Sequence, residues 1–521
     1  MKKSLISFAL FSALYAHAEV VFNRDNGAEP KSIDPQIASE SSGAAILYDT
    51  FEGLTKTDIS GKIVPGVAEK WDISEDGLTY TFHLRKDAKW SDGRPVTAYD
   101  FVYGWQRAVN PETGSEYAFI LSGVENADEI ASGKVTNLET LGIKASDDYT
   151  VVVKLKHPVP YFLELTSFYA TFPAPMHVIE KHQKAWTQPE NIVSNGAYKI
   201  TAWTPQSTIT AQKSEHYWDK NNVQIDKVVY HVIEDASSSL KRYRAGEIDF
   251  GPLPTEQLDW AKKNIPDEVK IYPYATTYWY GFNLEHEKFK DNKKLREALY
   301  LALDRDVIAE KVLKAGQVPA FSVVSPKMNN SLPFESPYTK LSQAERIELA
   351  KKAYAEAGYS KEKPFKSQIL YNTSEGHKQI AVAVAAMWKQ NLGAEIELLN
   401  KEWKVMLSDV SQGKSEIYRY GWHADYNDPN TFLEIFKSNS GTNHSRYKNP
   451  EFDAKVQQAA ETVDLNERAK VLQEAETMLM NDFPVVPVYH YVRVALVKPY
   501  VKGFTPSLMG IIPTQYLRVE K

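Results

Sequence analysis

Tyr418-Arg419-Tyr420-Gly421-Trp422-His423-Ala424-Asp425-Tyr426-Asn427-Asp428-Pro429 sets one acidic side chain, Asp425, among indole and phenol rings. A carboxylate enclosed in this way suits an ammonium group, because a low local dielectric strengthens the ion pair and ring faces attract cations. Asp425 is therefore the first candidate ligand-binding residue. The competing reading is a plain acidic turn over residues 425–429, since Asn, Asp and Pro are common turn formers. Spacing alone leaves both open.

The opposite end of the chain bears on where such a site would work. Lys2 and Lys3, an apolar run over residues 5–14 and then Ala16-His17-Ala18 have the order of a secretory signal peptide, with cleavage expected after Ala18. The apolar run falls short of the ~20 residues a membrane-spanning helix needs. The sequence contains no cysteine, so neither a lipid anchor at the cleavage site nor a disulfide is expected. A soluble, unanchored periplasmic protein follows. The formal charge of −6 argues against nucleic acid as a partner. Thirty Tyr, 21 Phe and 11 Trp exceed what a core of this size requires and suggest a large ligand-lining surface.

A chain of 521 residues implies more than one domain. Val20-Val21-Phe22 reads as a short strand. Thr79-Tyr80-Thr81-Phe82-His83-Leu84-Arg85 alternates with period two, as a half-buried strand does. Trp90-Ser91-Asp92-Gly93 predicts a tight turn. Thr97 is placed to cap a helix carrying Phe101, Trp105 and Ala108, with Asp100 as the capping-box acid. Residues 53–176 form one compact insert on this reading. Short strands follow at residues 196–200, 207–212 and 228–233. Helical periodicity then governs Leu295, Ala298, Leu299, Ala302 and Leu303, and a second helix over residues 379–392 stops at Gly393. Residues 395–398 and 485–489 read as strands, and 451–481 as one or two helices. Alternating helix and strand predicts an α/β domain with a mixed sheet.

Several longer stretches resemble one family. Val64-Pro65-Gly66-Val67-Ala68-Glu69-Lys70-Trp71, the run from Tyr80 through Trp90-Ser91-Asp92-Gly93, and Val96-Thr97-Ala98-Tyr99-Asp100-Phe101-Val102 are similar to the peptide class of bacterial solute-binding proteins that feed ABC importers. Arg242-Tyr243-Arg244-Ala245-Gly246-Glu247-Ile248-Asp249, Leu370-Tyr371-Asn372-Thr373-Ser374 and Gly421-Trp422-His423-Ala424-Asp425-Tyr426-Asn427 narrow the resemblance to periplasmic oligopeptide-binding proteins and the related murein-tripeptide-binding protein.

The resemblance implies an α/β, two-lobed periplasmic-binding-protein fold of type II with mixed sheets and an additional third domain. Residues 19–52, 177–275 and 493–521 would form lobe I, residues 53–176 the extra domain, and residues 276–492 lobe II. Short peptides of about two to five residues would lie extended between the lobes, hydrogen-bonded through their main chain like an added strand. An inner-membrane ABC permease would receive them from a monomeric carrier without cofactor or metal. By position, Asp425 would hold the peptide ammonium, and the segment from Arg419 through Gly421 and Trp422 to His423 would supply strand-like contacts. Tyr117 would reach over from the extra domain. Trp279, Trp422 and Tyr491 would wall the pocket, while Arg419 and His377 would meet the C-terminal carboxylate, His377 with help from a helix start.

Departures from the family pattern accompany the matches. Thr276 and His423 stand where some relatives carry a cysteine pair, Val410 where the family has a second arginine, and Leu313, next to Lys314, where a lysine is associated with the shortest peptides. The loss at Val410 weakens a murein-peptide role, whose extra carboxylate wants an extra cation. An enzyme is disfavoured by the lack of HExxH, Gly-x-Ser-x-Gly, phosphate-loop and cysteine-nucleophile motifs. A nickel or haem carrier of the same fold remains an alternative through His377, His423, His444 and His490.

Overall fold

Two long antiparallel strands, Val269–Phe282 and Val485–Val497, run through the middle of the molecule and belong to both of its halves. Val269 to Pro273 pair with Leu496 to Val492, and Thr277 to Gly281 pair with His490 to Val485. Between Pro273 and Thr277 the register shifts. The computed structural model in which this is seen describes residues 19–521; the expected leader, residues 1–18, lies outside the described residues.

One side of this pair continues into Ile417–His423, Lys366–Asn372 and Glu395–Lys401. The other side continues through Phe250–Pro252, Val21–Gly27, Lys227–Val232, Thr208–Lys213 and Tyr198–Thr204. The sheet mixes parallel and antiparallel neighbours: Val21–Gly27 and Lys227–Val232 run parallel, as do Lys366–Asn372 and Glu395–Lys401, while the two long strands run antiparallel. The mixed α/β class expected from the sequence is thus observed.

Side chains segregate into two large cores. One gathers Phe22, Ile46, Tyr198 and Tyr230, and the other Tyr280, Phe282, Leu299, Trp388 and Phe432. A separate four-stranded antiparallel sheet runs in the order Ala68–Ile73, Thr79–Leu84, Thr150–Lys154, Ile143–Asp147. Its residue Phe82, together with Trp90 and Trp105, joins the first core, so this sheet packs onto the first half without a core of its own.

Local rules account for many elements. Tyr80, Phe82 and Leu84 are the buried members of the alternating strand. The helix Ala98–Val109 carries the Thr97–Asp100 capping box, and Gly93 closes its turn at φ +89° with a 2.8 Å bond from its N–H to the Trp90 carbonyl. The helix Glu375–Leu392 ends at Gly393 in the left-handed region, φ 78°. It begins four residues before the apolar periodicity does, because the Ser374 side chain caps it by accepting from the His377 N–H. The strand Val269–Phe282 left no periodic signal, since Ala275 to Phe282 are all buried and alternation is lost when both faces are covered. The strand Val485–Val497 likewise extends beyond Tyr489, through half-buried residues Tyr491 to Val494.

Candidate functional site

The strand Ile417–His423 has one fully paired edge and one that opens. On the paired side it runs antiparallel to Thr276 through Phe282. Ala424 donates its N–H to the Ala275 carbonyl at 2.8 Å, which fixes the phase: Trp422 and Tyr420 also point their backbone groups that way, and Gly421 and His423 point theirs the other way. On that other side Lys366–Asn372 pairs only with Ile417 and Tyr418 before it diverges. The Arg419 carbonyl and the N–H and C=O groups of Gly421 and His423 therefore line an edge that no strand covers among the described residues. Such an edge is a template for an added strand.

A carboxylate stands at one end of this edge. Tyr117 donates its hydroxyl to Asp425 Oδ1 at 3.1 Å, and Oδ2 is buried with no hydrogen-bond partner among the described residues. The backbone beneath is fixed by the Asp425 N–H, which donates to Thr431 Oγ1 at 3.1 Å. Burial pushes the Asp425 carboxyl up to about 8; the Tyr117 hydrogen bond opposes the rise and the nearby Glu434 charge adds to it. The Tyr48 and Tyr169 phenols feel the same carboxylate, so the ring enclosure read from the sequence is supplied mainly from the other half of the molecule.

A cation stands at the other end. Arg419 donates to Tyr491 Oη at 3.0 Å and to Asn372 Oδ1 at 3.4 Å, and its guanidinium lies 4.8 Å from the Tyr278 ring centre. No acidic side chain pairs with it among the described residues, and its Nε is buried without a partner. His377 lies in the same group, its ring 5.6 Å from that of Tyr278. Burial and the Arg419 charge push His377 well below the usual histidine range, so it is neutral, with Nδ1 unpartnered. An anion arriving here would meet the guanidinium, a neutral imidazole and the first turn of a helix.

Residues 62–444 match the profile of bacterial extracellular solute-binding proteins, family 5. The chain belongs to this family. It is 42% identical over 523 residues to the periplasmic oligopeptide-binding protein OppA of Salmonella typhimurium, covering 97% of this chain and 96% of that protein. Haemophilus influenzae OppA in complex with RPPGFSPFR superposes with a TM-score of 0.90 at 41% identity, covering 97% of this chain and 100% of that one. The murein tripeptide binding protein MppA of Escherichia coli gives 0.92 at 37% identity, covering 97% and 99%. The unliganded open form of MppA gives 0.75 at 36%, covering 96% and 98%. The fold is thus the two-lobed type II architecture with an additional domain, and its parts are arranged less like the open form than like the other two structures.

In this family 5 solute-binding protein the remaining sequence candidates divide between the two faces of the strand. Arg419 and His423 share one face with Tyr278, Tyr491 and His377. His423 stacks on Tyr274 with ring centres 4.3 Å apart, meets Thr276 Oγ1 at 3.0 Å, and is held at about 4 by burial and Arg493. Trp422 is on the opposite face, its indole N–H 3.4 Å from Thr431 Oγ1. An added strand alternates its side chains to both faces, so both sets flank it. Trp279, expected as a pocket wall, is only 2% exposed and packs under Tyr420 and against Phe436. It reaches neither Asp425 nor Arg419, because a residue paired opposite Tyr420 points away from the Arg419 face.

The four histidines offered for metal binding each have a different neighbour: Tyr278 for His377, Thr276 for His423, Tyr420 for His444 and Thr277 for His490. Val410 is buried in an apolar cluster with Leu370, Met406 and Tyr418, while Leu313 belongs to the second core. Sequence reasoning missed Asn372, Tyr278 and Thr431. Asn372 lies within the stretch Leu370-Tyr371-Asn372-Thr373-Ser374, but nothing local shows that its amide oxygen faces Arg419.

Proposed function

We propose that this protein captures short peptides of about two to five residues, extended between its lobes, and delivers them to an inner-membrane ABC permease. One observation carries the reading: an uncovered strand edge bounded by a half-satisfied carboxylate and by a guanidinium without an acidic partner. From Arg419 to Asp425 the chain advances six positions, about 20 Å when extended. Side chains reaching inward shorten this to the span of a short peptide whose ammonium meets Asp425 and whose carboxylate meets Arg419. Backbone contacts are common to all peptides, so the edge confers affinity without demanding one sequence.

The oligopeptide-binding relatives, the peptide-bound OppA structure and the family's solute-binding character support this reading over an enzyme. In the same proposal residues 19–52, 177–275 and 493–521 form lobe I, 53–176 the extra domain and 276–492 lobe II. The register shift between Pro273 and Thr277 and the two separate cores support a hinge near those boundaries. The periplasmic relatives support a periplasmic carrier, and no helix of the described residues is long and apolar enough to cross a membrane. A cleaved, unlipidated leader and a monomeric state complete the proposal. A murein-peptide role is the second reading, favoured by the superposition on MppA and opposed by the apolar surroundings of Val410, which offer an extra carboxylate no cation.

The deciding experiment is calorimetric titration of protein stripped by unfolding and refolding, with tetra-alanine and its N-acetylated twin. Tight binding of the free amine and a large loss on acetylation are expected. Binding of neither peptide refutes oligopeptide capture and turns the test to murein tripeptide.

A further inference from the structure

Residues 425–428 have four consecutive side chains or amides committed to four different tasks. Asp425 faces the strand edge. Tyr426 leaves its own half: Ala424 and Phe432 on either side belong to the second core, but the Tyr426 ring is part of the first. There it stacks on Tyr161 with centres 4.7 Å apart and planes within 6°. Asn427 donates its backbone N–H to Glu164 Oε2 at 2.8 Å. Asp428 is locked inside its own half by Arg468, through bonds of 2.6 and 2.9 Å between fully buried groups.

The surrounding contacts close the joint. Asn430 Nδ2 reaches Tyr161 Oη at 3.0 Å and Tyr426 Oη at 2.9 Å, and Tyr426 donates to Glu434 at 2.7 Å. Asn329 donates its N–H to Asn427 Oδ1 at 3.1 Å and its amide to Glu164 Oε1 at 3.5 Å. The Arg468 guanidinium lies 5.0 Å from the Tyr161 ring centre. Tyr161 and Glu164 come from the short segment around Phe162–Leu165, whose Phe162 and Leu165 belong to the first core. None of these groups lies on the strand edge, and they bear on the segment that holds Asp425.

We infer that Tyr161 and Glu164 are positioning residues for ligand capture: they clasp residues 426–428 across the cleft and so couple the closing of the lobes to the placing of Asp425. The inference rests on the peptide-capture reading for its ligand, while the clasp itself concerns closure. Opening the lobes parts the Tyr161–Tyr426 stack and the bond from Asn427 to Glu164 together. A closed state held by these contacts releases its ligand slowly, through opening. Weakening them shifts the population toward the open form without removing a ligand contact.

The test compares Glu164→Ala, Glu164→Gln and Tyr161→Ala with the unaltered protein. Stopped-flow release of a fluorescently labelled tetrapeptide is measured alongside small-angle scattering of the ligand-free protein. Glu164→Ala and Tyr161→Ala should raise the release rate about five- to tenfold, leave the association rate within about twofold, and enlarge the ligand-free radius of gyration. Glu164→Gln, which keeps an acceptor for the Asn427 N–H, should stay within about twofold of the unaltered rate. Should Tyr161→Ala fail to fold, the Glu164 pair carries the comparison. Release rates unchanged in Glu164→Ala overturn the clasp. If the unaltered protein binds no tetrapeptide, the peptide reading fails separately, and scattering alone decides: an unchanged radius in Glu164→Ala overturns the clasp.

Discussion

Tyr117 and Asp425, 308 positions apart in the chain, meet through a single 3.1 Å hydrogen bond that satisfies one oxygen of the carboxylate and leaves the other, buried, without a partner among the described residues. A buried charge is costly unless paired, and here the cost appears as a carboxyl pushed up to about 8. An ammonium group delivered to Oδ2 would supply the missing partner.

Asp425→Asn should therefore weaken tetra-alanine binding by about 10- to 150-fold, the equivalent of ~1.5–3 kcal/mol for a hydrogen bond to a charged group. Tyr117→Phe should cost less, about 1 kcal/mol, because it removes one neutral hydrogen bond and leaves the Asp425 carboxyl in place to meet the ammonium. Titration calorimetry on refolded protein measures both, and equal affinity for the Asn variant would remove Asp425 from the site.

Binding should also release protons. With the burial seen here the Asp425 carboxyl is pushed up to about 8 and is mostly protonated below that; an ammonium neighbour favours the charged form and lowers that value. Peptide affinity should accordingly rise with pH, by up to about tenfold per unit, until pH approaches 8. Above that it should level off or fall, as the peptide amine itself, with a pKa of about 8, loses its proton. Calorimetry at pH 6 in two buffers of different ionisation enthalpy should show proton release toward one per peptide, absent in Asp425→Asn.

Arg419→Gln should discriminate between ligand termini. Affinity for the free-acid tetrapeptide should fall about 10- to 100-fold, while its C-terminal amide should bind both proteins alike within about threefold. A loss shared equally by acid and amide would assign Arg419 a packing role through Tyr278 and Tyr491 instead.

Gly281→Ala should destabilise the second half of the molecule. A Cβ at this position would lie 2.3 Å from Tyr418 Cζ and 2.5 Å from its hydroxyl oxygen, and Tyr418 is itself buried. Overpacking of this kind costs about 1–3 kcal/mol, read as a lower urea midpoint for the transition reporting that half.

Glu476 should make stability depend on pH. It is buried and bonded to the Ser322 hydroxyl, and burial pushes it up to about 8, against the opposing pull of Ser322 and the Val324 N–H. Because the folded value is raised above the unfolded one of about 4.3, its contribution is fully present below the unfolded value. It is lost as pH rises through about 8. Glu476→Gln should match the parent near pH 4 and exceed it increasingly toward pH 9, by up to a few kcal/mol, in urea unfolding followed across that range.

What the sequence determined by itself was whatever depends on residues within a few positions of one another. Thr97 and Asp100 specify a helix start, alternation from Thr79 to Leu84 specifies a half-buried strand, and Gly393 ends a helix because only a left-handed residue can close it there. The ring-flanked acid at Asp425 and the guanidinium at Arg419 were legible too, since a charge among aromatics is unusual in a plain core. The tertiary structure alone decided which candidates meet. Tyr117, Tyr48 and Tyr169 enclose Asp425 from the opposite half, Trp279 turns beneath the strand, and the edge at Gly421 and His423 lies open because Lys366–Asn372 diverges after Tyr418. Backbone pairing, burial and the resulting shift in a carboxyl's proton affinity depend on groups hundreds of positions away, and local propensity carries no record of them.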